Sequence, residues 1–266
     1  MSARVLVTQE DHVAHVRLNR PDKRNGLDLE MFEGLVAAGE RLAADKSVRA
    51  VVLSGEGKSF CAGLDWGAFL SMGAEAGQKL LDRDLDKSPA NLAQRVCWIW
   101  QEVPVPVIAA VHGAAYGGGC QLALAADVRI VAPDASFSIM EIKYGLIPDM
   151  SATQTLWRVL RADVLAELLF TGRVVPAEEA TRLGLATRVS ERALEDAMTL
   201  AKQIARQSPH AIRAGKQLLR AAPSLDVAAS FKLETDLQLK LLGSANQMEA
   251  VAATMQKREA VYSDVE

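Results

Sequence analysis

Two acids and two glycine-bearing turns are the residues of this 266-residue chain best suited to chemistry. Glu141 follows Ser138-Ile139-Met140 and precedes Ile142, which sets a carboxylate among apolar neighbours. Partial burial there raises a carboxyl pKa toward the range useful for moving protons. The competing reading is a strand-end carboxylate paired with Lys143 or Arg129. Asp149 lies eight positions further on and suits either a second acid/base or the N-cap of the next helix. Upstream, Gly117-Gly118-Gly119 open a helix-like segment after an apolar run. Bare of Cβ atoms, that backbone can approach a ligand closely, and the first amides of a helix have no intrahelical acceptor. Such amides stabilise a phosphate or a developing oxyanion. Tight strand–helix packing explains the same glycines equally well. A second glycine-containing turn, Cys61-Ala62-Gly63, also follows a buried strand, so each turn could give one amide to a single carbonyl oxygen. Loss of one such donor typically costs ~10²–10³ in rate.

The elements that must position these residues read as alternating strands and helices. Residues 5–7 and 13–18 alternate around a polar turn and predict a β-hairpin. Residues 19–26 (NRPDKRNG) are turn chemistry carrying three cations. Residues 27–44 have helical apolar spacing, with Asp28 as N-cap for the part beginning at Leu29. Residues 50–53 are a short, fully apolar strand. The segment 54–65 (SGEGKSFCAGLD) lacks the GxxxxGK[ST] spacing of a phosphate loop. Residues 71–89 are small, polar and charged, and read as a mobile insertion. Residues 91–102 return to helical spacing before Pro104 and Pro106 launch the strand 107–111. Helices are expected over 151–161, 163–170 and from Pro176, and a last short strand over 185–189. Beyond residue 194 everything reads as helix: 194–207, 209–220, 225–242 and 245–262. The alternation favours an α/β sheet with right-handed crossovers. Apolar faces on the last helices need a core or a neighbouring subunit to cover them.

Composition narrows the classes. Half the residues are hydrophobic and the formal net charge is −3, which leaves no basic footprint for nucleic acid. Cys61, Cys97 and Cys120 are odd in number and lack CxxC spacing, as expected of reduced thiols in a cytoplasmic protein. The four histidines show no metal-ligand spacing, so no metal is expected. The N-terminal residues do not read as a signal peptide, and no run approaches the ~20 apolar residues of a membrane span.

Several of these stretches together resemble one family. Phe60-Cys61-Ala62-Gly63-Leu64-Asp65 is followed by Pro106-Val107-Ile108-Ala109-Ala110-Val111-His112-Gly113 and by Gly117-Gly118-Gly119-Cys120. Asp127, Phe137, Glu141, Gly145-Leu146-Ile147-Pro148, Leu169-Phe170-Thr171-Gly172, Ala177-Glu178-Glu179-Ala180, Gly184-Leu185 and Lys257-Arg258 continue in order. The chain thereby resembles the enoyl-CoA hydratase/isomerase (crotonase) family over nearly its whole length. The resemblance implies a crotonase-like ββα spiral core over residues 1–193 and a C-terminal helical oligomerisation region over 194–266. It also implies acyl-CoA thioester substrates, homotrimers or hexamers built as dimers of trimers, and no cofactor beyond the CoA of the substrate.

Carried over by position, the amides of Ala62 and Gly118 would form the oxyanion hole. Residues 62–65 (Ala62, Gly63, Leu64, Asp65) would line the acyl-CoA path. Lys23, Arg24 and Lys257 sit where the family approaches the nucleotide of CoA; ordinary solvated surface is the rival reading. Asp65 and Asp127 also admit structural roles. Tyr116, Trp66, Met140 and Tyr144 are candidates for an acyl pocket or for core. The family's hydratases carry a glutamate where this chain has Gln121, and a neutral amide cannot exchange a proton at useful pKa. They also carry glycine where this chain has Asp149; the Glu141–Asp149 spacing resembles dienoyl-CoA isomerases. The expectation is therefore enoyl-CoA or dienoyl-CoA double-bond isomerisation, with Glu141 and Asp149 as acid/bases and Gln121 orienting substrate or water. A hydratase using a single glutamate, a non-catalytic acyl-CoA binder and a thioester hydrolase or dehalogenase on the same scaffold are the alternatives.

Overall fold

A hairpin begins the chain because two alternating segments flank Asp11-His12, both residues in the left-handed region that tight turns demand (φ 48 and 66). In the computed structural model, which describes residues 3–83, 85 and 88–265, β1 (Val5–Glu10) pairs antiparallel with β2 (Val13–Leu18). The helix α1 (Leu29–Ala44) starts where Asp28 accepts from the Met31 amide at 3.0 Å. Its buried residues Met31, Phe32, Leu35, Ala38 and Leu42 recur at three- and four-residue steps, the stripe that 3.6 residues per turn turns inward. Burying a side chain such as Phe32 or Leu35 contributes about 1.5–3 kcal/mol each.

The apolar run after α1 forms β3 (Ala50–Gly55), parallel to β2. Two helices follow: α2 (Trp66–Met72), which ends just inside the segment 71–89 expected to be a mobile insertion, and α3 (Ala74–Leu81), which lies within it. Asp65 starts the first by accepting from the Ala68 amide, and Leu80 and Phe69 pack inward from these helices. Small and charged residues hid that pattern, and positions 84, 86 and 87 of the segment lie outside the described residues. Asn91 and Gln94 form a reciprocal capping box that opens α4 (Leu92–Glu102). Then come β4 (Val107–Val111), β5 (Ala114–Tyr116), α5 (Gly118–Leu124), β6 (Val128–Val131) and β7 (Ser136–Ser138). A 3₁₀ turn over Glu141–Tyr144 precedes α6 (Ala152–Val159), α7 (Ala162–Thr171), β8 (Val175–Pro176), α8 (Ala177–Leu183) and β9 (Arg188–Val189).

The strands form two sheets. One has six strands in the order β1-β2-β3-β4-β6-β9, parallel except for the opening hairpin. The other, β5-β7-β8, has only two- and three-residue strands, too short to show any period of two in the sequence. Strand β4 is buried at every residue, as its unbroken apolar run requires between two covered faces.

The helices α9 (Ala193–Ala205), α10 (Pro209–Ala221), α11 (Val227–Leu241) and α12 (Ala245–Gln256) complete the chain. Ala193, Ala197, Ala201 and Ala205 form a small-residue stripe on α9, packed against Val52, Ile108 and Ile130 of the larger sheet. The last helix ends six residues before the expected 262. Lys257 adopts the left-handed conformation (φ 53) and its amide caps the carbonyls of Ala253 and Thr254. The tail then runs back to Arg49, which binds Asp264 Oδ1 at 2.7 Å and the Tyr262 carbonyl at 3.0 Å. Cys61, Cys97 and Cys120 are buried free thiols, and burial pushes the Cys61 pKa up to about 12. Among the described residues, no helix is long and apolar enough to cross a membrane.

Candidate active site

The two glycine turns meet. Residues 61–65 run between β5 on one side and residues 24–27 on the other: Cys61 donates to Ala114 O, Ala62 to Arg24 O and Asp65 to Leu27 O. Alternation would send the amides of residues 62 and 65 to opposite sides, yet both reach residues 24–27. Gly63, at φ +90, makes the difference, since its left-handed kink breaks the alternation. A Cβ there would sit 2.6 Å from Tyr116 O and 3.6 Å from the Gly118 nitrogen, so the two turns are in contact. The Ala62 amide is thus committed to Arg24 O at 3.0 Å and is not free to hold a substrate carbonyl, contrary to the expectation. Two residues on, the Leu64 amide has no acceptor among the described residues, and neither has that of Gly118. The close approach repeats at Gly119, where a Cβ would lie 2.2 Å from Cys61 O.

Glu141 stands above this junction, its Oε1 3.5 Å from where a Cβ on Gly117 would be. It opens the 3₁₀ turn that follows β7. Gln121, on α5, is fully buried and donates from Nε2 to Glu141 Oε1 at 2.6 Å. Its own Oε1 accepts from the Met150 amide at 2.9 Å. With its carboxamide engaged at both ends and no exposed surface, Gln121 positions Glu141 and does not orient substrate or water as expected. Glu141 Oε2 is buried without a partner. Desolvation raises the Glu141 pKa above the usual carboxylate range, against the lowering effect of its own backbone and of Gln121. Arg129 is not its partner, being held by the carbonyls of Leu185 and Ala126.

Asp149 is not a helix cap. The residue preceding α6 is Ser151, in the left-handed region (φ 64), and Asp149 lies on the wall of the same pocket as Glu141. The residue is exposed overall, yet desolvation raises its pKa above the ordinary aspartate value. The two carboxyls sense each other, since the charge of Asp149 adds to the rise at Glu141.

The pocket encloses about 440 Å³, within the ~300–1,000 Å³ usual for small-molecule sites. Ala62, Gly63, Leu64, Gly117 and Gly118 form one end, with Glu141 and Asp149 beside them. Of the aromatic and sulfur candidates, Trp66, Met140 and Tyr144 line it, and the rings of Trp66 and Tyr144 lie 4.9 Å apart, tilted by 35°. Tyr116 does not; its hydroxyl is bonded to Ser136 Oγ. Phe69, Leu70, Leu80 and Leu81 of α2 and α3 complete the wall, the last two from the segment expected to be a mobile insertion.

The expected cations divide. Lys23 and Arg24 are exposed, unpaired among the described residues, and adjacent to the site, because the Arg24 carbonyl holds Ala62 and the Lys23 charge is felt at Asp65. Asp65 is structural: it caps α2 and pairs with Arg20 at 2.7 Å, and it does not line the pocket. Asp127 is structural too, accepting from the Val107 amide and pairing with buried Lys216 at 2.8 Å. Lys257 caps α12, and no contact among the described residues brings it to the pocket.

The sequence model of the enoyl-CoA hydratase/isomerase family matches residues 8–265. The chain belongs to that family. Human mitochondrial Delta(3,5)-Delta(2,4)-dienoyl-CoA isomerase is 33% identical over 276 residues, covering 97% of this chain and 80% of that protein. The 2,3-dehydroadipyl-CoA hydratase of Escherichia coli is 33% identical over 256 residues, covering 96% of each. Among solved structures, an enoyl-CoA hydratase from Bacillus anthracis superposes with a TM-score of 0.89 at 30% identity, covering 97% of this chain and 98% of that one. The fold is the crotonase fold. Relatives named for both reaction types are found, and a putative enoyl-CoA hydratase of Thermus thermophilus is 37% identical over 256 residues, covering 96% of this chain and 98% of that protein.

In an enoyl-CoA hydratase/isomerase, the arrangement here offers two unpaired amides, one carboxyl held at one oxygen, and a second carboxyl facing the same apolar space. Leu64 is the residue that sequence reasoning placed only on the substrate path. The signal for its amide was Gly63, whose kink decides which neighbour is left unpaired.

Proposed function

We propose that this protein isomerises the double bond of an enoyl-CoA or dienoyl-CoA thioester. The thioester oxygen would accept from the Leu64 and Gly118 amides, and charge developing on it would be stabilised there. Glu141, as carboxylate, takes a proton from C2, and the electron pair passes to the thioester oxygen as an enolate. A proton returned at C4, or at C6 of a dienolate, moves the double bond toward the thioester. Glu141 can shuttle that proton itself, or Asp149 can supply it from its protonated form. The observation that carries this reading is the commitment of Gln121: Glu141 and Asp149 remain the proton carriers on the pocket wall, and a carboxylate pair at 121 and 141 to activate water is absent.

The test compares turnover of 2-enoyl-, 3-enoyl- and 3,5-dienoyl-CoA by the wild type, Glu141→Ala and Asp149→Asn. Isomerisation abolished in Glu141→Ala supports the proposal. Efficient hydration of 2-enoyl-CoA without isomerisation sinks it and favours a single-glutamate hydratase. Release of free CoA or halide instead marks a hydrolase or dehalogenase, and acyl-CoA binding by both the wild type and Glu141→Ala with turnover by neither marks a binder.

The same reading includes a homotrimer or a hexamer. Leu219, Phe231, Met255 and Val261 expose between 63% and 80% of their surface on or after α10 to α12. Cyclic assembly through these helices would cover them and bring Lys257 toward a neighbour's pocket. Light scattering that gives a monomer at micromolar concentration would contradict it.

A further inference from the structure

The site described above fixes where the reacting carbons sit, and the rest of its wall bears on what the acyl group can be. Besides the carboxyls, the lining includes Trp66, Phe69, Leu70, Leu80, Leu81 and Met150. Among the described lining residues there is no lysine, arginine, histidine, serine, threonine, asparagine or glutamine. Apart from the backbone, the polar groups are Glu141, Asp149, the Tyr144 hydroxyl and the Trp66 indole N–H. Apolar wall also continues past the mouth. Leu70 is 78% exposed and Ile147 is 73% exposed, yet both line the pocket.

We infer that the acyl group accepted here is an uncharged hydrocarbon chain, and that acyl-CoA substrates with a carboxylate at the far end of the chain are excluded. A terminal carboxylate inside this wall would lose hydration and find no cation or hydroxyl cluster among the described lining residues to replace it, and burial of an unpaired charge is among the most costly events in a protein. It would also enter the field of Glu141 and Asp149, two groups of its own sign. A methyl terminus meets apolar side chains of this lining, and added methylenes gain contact with it. Chains longer than the cavity still find Leu70 and Ile147 at the rim. The inference separates this chain from its relative named as a 2,3-dehydroadipyl-CoA hydratase, whose named substrate carries such a carboxylate.

The inference rests on the acyl-CoA reading of the site, and the experiment keeps the two apart. Hexanoyl-CoA and adipoyl-CoA have six-carbon acyl groups differing in a terminal methyl against a carboxylate, and neither has a double bond to react. Calorimetric titration of the intact protein with each, and with CoA alone, measures the tail directly. Hexanoyl-CoA is expected to bind at least about 30-fold more tightly than adipoyl-CoA. Octanoyl-CoA is expected to equal or exceed hexanoyl-CoA. Equal affinity for hexanoyl- and adipoyl-CoA overturns the inference and leaves the acyl-CoA reading standing. Affinity for hexanoyl-CoA no better than for CoA overturns it as well, since the tail then lies outside this wall. Binding of no thioester at all removes the acyl-CoA reading and this inference together.

Discussion

The carboxamide of Gln121 donates to Glu141 at 2.6 Å while its oxygen holds the Met150 amide, so one neutral side chain ties the 3₁₀ turn to the backbone beside Asp149. Its donation is one of the few forces holding Glu141 in its ionised form against desolvation. Gln121→Leu removes it at similar volume. The Glu141 pKa then rises further, and the acid limb of the kcat/KM profile moves to higher pH. The Met150 amide is orphaned in the same variant, which lowers stability by about 1–3 kcal/mol. A pH–rate profile and a thermal melt read the two effects separately. An unmoved acid limb would mean that Glu141 is not the group titrating.

Glu141 itself should show opposite effects on rate and stability. Its pKa in the folded protein is raised, so folding disfavours the charged form. The resulting destabilisation is present above the folded pKa and vanishes below the unfolded value of about 4.3. Glu141→Gln removes a buried charge with an unpartnered oxygen. We expect a higher melting temperature than the wild type at pH 8, with the two converging near pH 4. Turnover should fall ~10²–10⁴-fold in the same variant. A variant less stable than wild type at pH 8 would show that the carboxylate has compensation that this structure lacks.

Long elements were legible in the sequence, and the joins between them were not. The stripe on α1, the cap at Asp28 and the buried run of β4 follow from period and propensity alone, because a dozen residues repeat one pattern. Strands of two or three residues, such as β5 and β8, carry no pattern and are defined by their partners. The helices α2 and α3 were hidden by glycine, serine and charge, although they supply the pocket wall. At the site, Glu141 and Gly118, both singled out by residue type, line one pocket, but the choice between the amides of Ala62 and Leu64 depends on which one Arg24 O occupies. Likewise, whether Gln121 faces substrate or Glu141 is a matter of burial, which its position in the chain does not specify.

Lys23 and Arg24 offer a test of how the nucleotide end of a CoA thioester is held. Both are exposed beside the turn that carries Ala62, and their charges are unpaired among the described residues. Contacts between exposed charges contribute roughly 0.2–1 kcal/mol each and weaken with salt. Lys23→Ala and Arg24→Ala should therefore raise KM about 2–5-fold each, with kcat unchanged, and the difference from wild type should shrink at high ionic strength. A fall in kcat with constant KM would place these residues in the chemistry instead.

The kink at Gly63 gives the sharpest structural prediction. An alanine there must hold φ near +90, and its Cβ would press to 2.6 Å from Tyr116 O, a backbone atom that cannot swing aside. Strain of this kind costs about 1–3 kcal/mol before any clash is counted. Relief requires residues 61–65 to move away from β5, which separates the Leu64 amide from that of Gly118. Gly63→Ala should thus melt several degrees lower and lose ~10²–10³ in kcat, the cost of one oxyanion donor. Affinity for CoA alone should change little, because Lys23 and Arg24 remain in place. If turnover holds while stability falls, then the two amides do not act together on the thioester oxygen.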